Sequence, residues 1–182
     1  RVLRYAGYAA GAAVIAGLLL AERAAPLRRR TAAQMPRLAR NAAMGLACQA
    51  VVHLAETPLT AQVARTNARR RRGLAGRIGG TAGQVAGFLA MDYGIYLWHV
   101  ATHKAPALWR LHRVHHVDPD CDASTALRFH ALDMLVSVPW RLAQVRLAGI
   151  DPQALAGWRA FFFGSVLFHH ADLRLPERLE RA

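Results

Sequence analysis

Five apolar stretches, separated by polar and basic segments, set the pattern of this chain. The first, Tyr5 to Ala21, is an uncharged run of 17 residues, at the lower end of what spans a bilayer. The second, Asn41 to Val63, is interrupted by Gln49, His53, Glu56 and Pro58. The third, Ile78 to Trp98, is long enough to span and holds a single acid, Asp92. The fourth and fifth, Ala131 to Ile150 and Leu155 to Phe168, are broken by Arg141, Arg146 and Arg159. They read as a helical hairpin turned at Asp151-Pro152, where proline suits the first position of a helix. No strand-like alternation runs far, and helices satisfy their own backbone in lipid. The pattern therefore predicts an all-α, multi-pass membrane helical bundle. Gly79, Gly83 and Gly87 are spaced by four, as are Gly7 and Gly11, which lets backbones approach closely along those faces. The plain alternative is that an alanine-rich composition scatters small residues everywhere.

With 182 residues there is room for one domain. Residues 1–77 supply N-terminal helices and arginine-rich loops, and 78–182 supply the core that carries the histidines. Hydrophobic residues make up 54%, yet alanine and glycine provide much of that, so distribution decides the class and the average does not. No small-residue cleavage site closes the first run and arginines follow it, which argues against a signal peptide. The net charge of +13 comes almost wholly from arginine, Lys104 being the one lysine. The groups Arg28-Arg29-Arg30 and Arg69 to Arg72 lie between apolar runs without interleaved aromatics. That favours membrane flanks and anionic lipid over nucleic acid. Six arginines follow the first run (Arg23, Arg28, Arg29, Arg30, Arg37, Arg40) and six precede the third (Arg65, Arg69, Arg70, Arg71, Arg72, Arg77). If the second stretch crosses, the positive-inside rule cannot orient the chain. Cys48 and Cys121 form neither a zinc spacing nor a disulfide framework.

Seven of the nine histidines fall into three tight groups. His99 and His103, four apart at the end of the third stretch, share one helical face and can grip one ion. In His112-Arg113-Val114-His115-His116, the first ring lies under the other two, which diverge, so the group can offer ligands to two neighbouring metals. His169-His170 closes the fifth stretch. His53 and His130 individually read as ordinary polar histidines. Polar groups at membrane depth are costly and usually functional, and the clustering points to a metal. Imidazole suits zinc, copper, iron and nickel. No glutamate stands between His99 and His103, so the zinc-protease pattern H-E-x-x-H is absent.

The run from Asp92 to His99, then His103, resembles the first histidine box of the fatty acid hydroxylase and sterol desaturase superfamily. Trp109-Arg110-Leu111-His112-Arg113-Val114-His115-His116 is similar to the second box nearly letter for letter. Asp122 to His130 followed by Asp133 resembles the family's R-x-H-x-x-E element, with aspartate in place of glutamate. Leu167 to Pro176 is similar to the segment before the final box, with Asp172 where asparagine is common. The resemblance covers about Asp92 onward.

It implies an enzyme that hydroxylates or desaturates a lipid with molecular oxygen, using a non-haem di-iron centre of two Fe ions. Electrons would come from an external donor, a redox partner protein. The substrate would be a fatty acyl chain, a sterol or a carotenoid, with hydroxylation the first choice. His99, His103, His112, His115, His116 and His169 would be metal ligands, with His170 a ligand or a supporting group. Asp92, Asp133 and Asp172 would orient imidazoles by accepting the distal N–H, or else cap helices and pair with arginine. Arg128 would pair with Asp133 or touch substrate, and His130 belongs to the same element. Phe161, Phe162, Phe163 and Trp158 would line a tail channel or simply pack. The histidines would stand at the cytoplasmic ends of helices in a bacterial inner membrane, with no nucleic acid partner. The family's last H-x-x-H-H box would lie beyond Ala182, so the chain reads as a fragment of an active enzyme. The rival is a non-catalytic metal-binding membrane protein.

Overall fold

The computed structural model describes residues 13, 16–176 and 178. Most of the first apolar run, with Gly7 and Gly11, lies outside the described residues. Among those described the secondary structure is helical, apart from an isolated bridge between Pro26 and Leu173. In chain order the helices are α1 (16–24), α2 (Gln34–Val51), α3 (Thr57–Arg70), α4 (Gly73–Ile78), α5 (Gly80–Lys104), α6 (Pro106–His116), α7 (Ala131–Ala148) and α8 (Pro152–His170). A π turn, Val52–Glu56, joins α2 to α3, and a 3₁₀ turn, Ala123–Leu127, lies between α6 and α7. None of the described helices is long and apolar enough to cross a membrane.

Side-chain contacts fix the helix directions. The α2–α3 rod runs parallel to α7: Cys48 Sγ meets the Phe129 carbonyl at one end, and Asn67 Nδ2 donates to the Val145 carbonyl (2.9 Å) at the other. Helix α5 runs the opposite way, because Trp140 Nε1 donates to the Gly94 carbonyl (3.0 Å) and Gln144 donates to that of Met91. Helix α8 also packs on the rod, with Arg159 Nη2 donating to Glu56 Oε1 (3.1 Å) and Thr60 Oγ1 (2.6 Å). Glu56 further pairs with Arg141 of α7. Three of the charged residues that interrupt the second, fourth and fifth stretches, Glu56, Arg141 and Arg159, therefore satisfy one another. Met91, Ile95, Val145, Ile150, Leu155 and Trp158 form the apolar centre between these four elements.

Local signals stop and start the helices where the site needs them. Ala105 is extended ahead of Pro106, which turns α6 back against the end of α5. The chain turns between α7 and α8 where its sequence indicates. Gly149 caps α7 in the left-handed region (φ 73°), and Asp151 accepts from the Ala154 amide (2.8 Å) ahead of Pro152. His130 caps α7 at its start by accepting from the Leu132 amide (3.1 Å). The spaced glycines of α5 do permit close approach. A Cβ at Gly83 would run into the Ala75 carbonyl, and one at Gly87 into Ile150. Overpacking of this kind costs about 1–3 kcal/mol, so Gly83→Ala is expected to lower the chemical-denaturation midpoint. An unchanged midpoint would show that α4 yields freely.

Candidate metal centre

The C-terminal ends of α5, α6 and α8 and the start of α7 meet at one end of the bundle, and the histidines meet with them. On α5 the His99 and His103 ring centroids are 4.6 Å apart, as one helical turn dictates. Folding α6 back brings His112 to 5.0 Å from His99 and 5.1 Å from His103. His116 lies 4.7 Å from His103. His115 lies 5.0 Å from His116 and 4.7 Å from His170 of α8. One ring nitrogen from each of His99, His103 and His112 falls within 4.8 Å of the others.

Hydrogen bonds fix the tautomers. A carboxylate only accepts, so the contact of His112 Nδ1 with Asp133 Oδ2 (3.1 Å) places the proton on Nδ1. That leaves the buried His112 Nε2 without a partner. His170 Nδ1 donates to the Val166 carbonyl (2.7 Å), and its Nε2 stands 2.9 Å from His115 Nε2. His115 Nδ1 is also buried and unpartnered. Leaving a buried ring nitrogen unsatisfied costs about 1–3 kcal/mol, and a metal ion relieves it. The donor set fits an imidazole-binding transition metal.

Burial and neighbouring imidazoles hold His99, His103, His115 and His116 in the neutral form that binds metal. Burial, then the His170, His116 and His112 imidazoles, push His115 down to about 3. His99 keeps an exposed edge, yet burial of the rest of its ring, then its histidine neighbours, lower it to about 4. His103 and His116 are lowered as well, by burial first and His112 next. Phe129 stacks on His115 at 4.4 Å and shields it. Between about pH 3 and the ordinary value of 6.5, the unfolded chain binds a proton at His115 that the folded metal-free protein does not. Stability is then full above 6.5 and falls as pH drops through that window, by up to about 1.4 kcal/mol per pH unit. Thermal midpoints of the metal-free protein across this range test it, and a flat profile would contradict it.

The other residues singled out by sequence are distributed as follows. His169 is exposed beside Ser165 Oγ (3.3 Å), so His170 is the member of that pair that joins the cluster. Asp133 reaches an imidazole. Asp92 is exposed, and the Asp172 side chain is buried with Oδ1 unpartnered. Arg128 turns away from Asp133 and donates to the Val114 carbonyl (2.9 Å) and Asn41 Oδ1 (3.3 Å). His130 is the α7 cap, and His53 is exposed on the π turn. Trp158 is buried and stacked on Phe162 at 5.1 Å, while Phe161 and Phe163 face outward.

Sequence reading missed the polar clasp behind α6. Fully buried Arg37 of α2 donates to Asp118 Oδ2 (3.0 Å), the Asp120 carbonyl (2.7 Å) and Asp122. Asn41 donates to Asp118 (2.9 Å) and Ser124 (3.0 Å). Asp120 accepts from the Thr31 amide (2.8 Å) and the Ala32 amide (2.9 Å). A signal was present: Asp118, Asp120 and Asp122 are three of only 11 acids in a basic chain, so they demand cationic or amide partners.

A helical fold with clustered imidazoles at one end defines a histidine-box type of protein. A family model described as fatty acid hydroxylase matches residues 84–181, more than half of the chain. The chain belongs to that family, which groups lipid oxygenases and hydroxylases. Human alkylglycerol monooxygenase is 38% identical over 50 residues, covering 28% of this chain and 11% of that enzyme. The chain thus spans only about a tenth of the length of the curated relative it matches. No solved structure matches.

Proposed function

We propose that this protein is the core of a membrane lipid hydroxylase that binds two non-haem iron ions at the histidine cluster. The observation that carries the reading is His112: its Nδ1 is committed to Asp133 and its buried Nε2 is free, among five further imidazoles from three helices. His99, His103, His112, His115, His116 and His170 would hold the metal. Bound iron supplies activation of molecular oxygen, with two electrons and two protons from a donor turning a C–H bond into an alcohol and the second oxygen atom into water.

The protein's own part is positional. Asp133 holds the His112 tautomer, and such carboxylate partners also raise ligand basicity. The Val166 carbonyl holds that of His170, and Phe129 covers His115 from water. Between α5 and α7 lies an apolar groove of about 350 Å³, lined by Tyr93, Leu97, Trp140 and Leu147. An alkyl chain is the occupant its lining suits. Arginines at both ends of the bundle flank the apolar waist as headgroup contacts in a multi-pass arrangement. The relative's name makes an alkyl glycerol the first substrate to test.

The experiment is anaerobic reconstitution with ferrous iron, metal analysis, then turnover of an alkyl lipid with a reductant and isotopically labelled dioxygen. Hydroxylation predicts retained iron and one labelled oxygen in the product alcohol. An alkene without label would assign desaturation instead. Protein that retains no iron would defeat the reading.

A further inference from the structure

We propose that Glu22, upstream of the family-matched span, is a positioning residue that sets His170 against His115; this rests on the metal-site reading above. Glu22 lies on α1 and is 1% exposed. Its Oε1 accepts from two backbone amides, Ala123 (2.8 Å) and Asp172 (2.7 Å). These amides belong to the segments that follow two histidine groups. Ala123 opens the 3₁₀ turn after His115-His116, and Asp172 stands two residues after His170. One carboxylate oxygen therefore joins the tail of α6 to the tail of α8.

The surrounding contacts make this a clip rather than a chance meeting. The Leu27 amide donates to the Asp172 carbonyl (3.3 Å), the Arg174 amide donates to the Ala25 carbonyl (3.2 Å), and Pro26 bridges Leu173. Leu18, on the same helix as Glu22, packs with Ala123, Ala126 and Leu167. Within α8, Val166 already fixes which way the His170 ring is turned. What α8 cannot fix is how far His170 stands from His115 on another helix, now 2.9 Å between Nε2 atoms. That interval is set where the two tails are tied. Hydrogen bonds to an ionised carboxylate are the strong kind, and losing Glu22 strands two buried amides.

The test is a Co²⁺ titration of the full chain in detergent, read by the cobalt ligand-field absorption, with helical circular dichroism as the fold control. Glu22→Met is expected to lose about 10–100-fold in Co²⁺ affinity, the range for groups supporting metal ligands, at preserved helix content. The loss should vanish in a His170→Ala background and persist in a His99→Ala background. If Glu22→Met does not fold, Glu22→Gln carries the test: it keeps an acceptor oxygen, and a smaller loss with the same dependence on His170 is expected. Unchanged affinity, or a loss equally large without His170, overturns the positioning role. The two readings separate cleanly. If His112→Ala impairs cobalt binding while the Glu22 variants do not, only this proposal falls; if His112→Ala binds cobalt normally, both fall.

Discussion

His112→Ala is expected to strip the cluster of metal, lowering affinity by more than the roughly 10–100-fold that loss of a supporting group causes, and turnover should disappear with it. No other ring is placed so centrally. It is buried, it adjoins His99, His103, His115 and His116, and its free nitrogen is already aimed by Asp133. The substitution also leaves the Asp133 carboxylate buried without its partner. Asp133→Asn separates the two effects, because the amide oxygen still accepts from His112 Nδ1 while the charge is gone. It should weaken metal binding by about 10–100-fold with the ligands all present. Metal content and product formation measured together decide the matter, and full retention of both in His112→Ala would remove it from the ligand set.

Arg37→Met should be the most destabilising single change in the described structure, by about 3–5 kcal/mol, the cost of breaking a buried ion pair and leaving its charges uncompensated. Arg37 is fully buried and serves Asp118, Asp122 and the Asp120 carbonyl. Methionine fills much of the volume and answers none of those acceptors. Arg37→Lys restores the charge but not the planar fork, and falls between. Urea denaturation in mild detergent measures this, and a midpoint equal to that of the unaltered protein would show that the acids find water instead.

Legibility in the sequence followed the range of the interaction. The His99–His103 pair, the His112 group and the turn between α7 and α8 were readable because helical spacing and Asp151-Pro152 act over a few residues. Asp133 was readable because the resemblance placed it. The clasp was not, since Arg37 meets residues 81 to 85 positions away and no local rule connects them. Nor could spacing distinguish His169 from His170. Adjacent residues on a helix diverge by about 100°, and only the placement of α8 decides which one faces α6. Glu56, Arg141 and Arg159 looked like flaws in three separate apolar stretches; they form one partly buried ionic cluster around Glu56.

The π turn has a consequence for sequence length. The buried faces of the rod are Arg37, Asn41, Gly45 and Cys48 before it, and Glu56, Thr60, Ala64 and Asn67 after it. From Cys48 to Glu56 is eight steps, which at about 100° each would leave the second face about 80° out of line in a plain α-helix. The wider turn absorbs that surplus. Deleting one residue from 52–55 makes the interval seven steps, within about 20° of two full turns, so a shortened chain can run through as unbroken α-helix with both faces still seated. An added residue there has no such escape. Gaps are therefore expected at this point when homologous chains are aligned, and insertions are not.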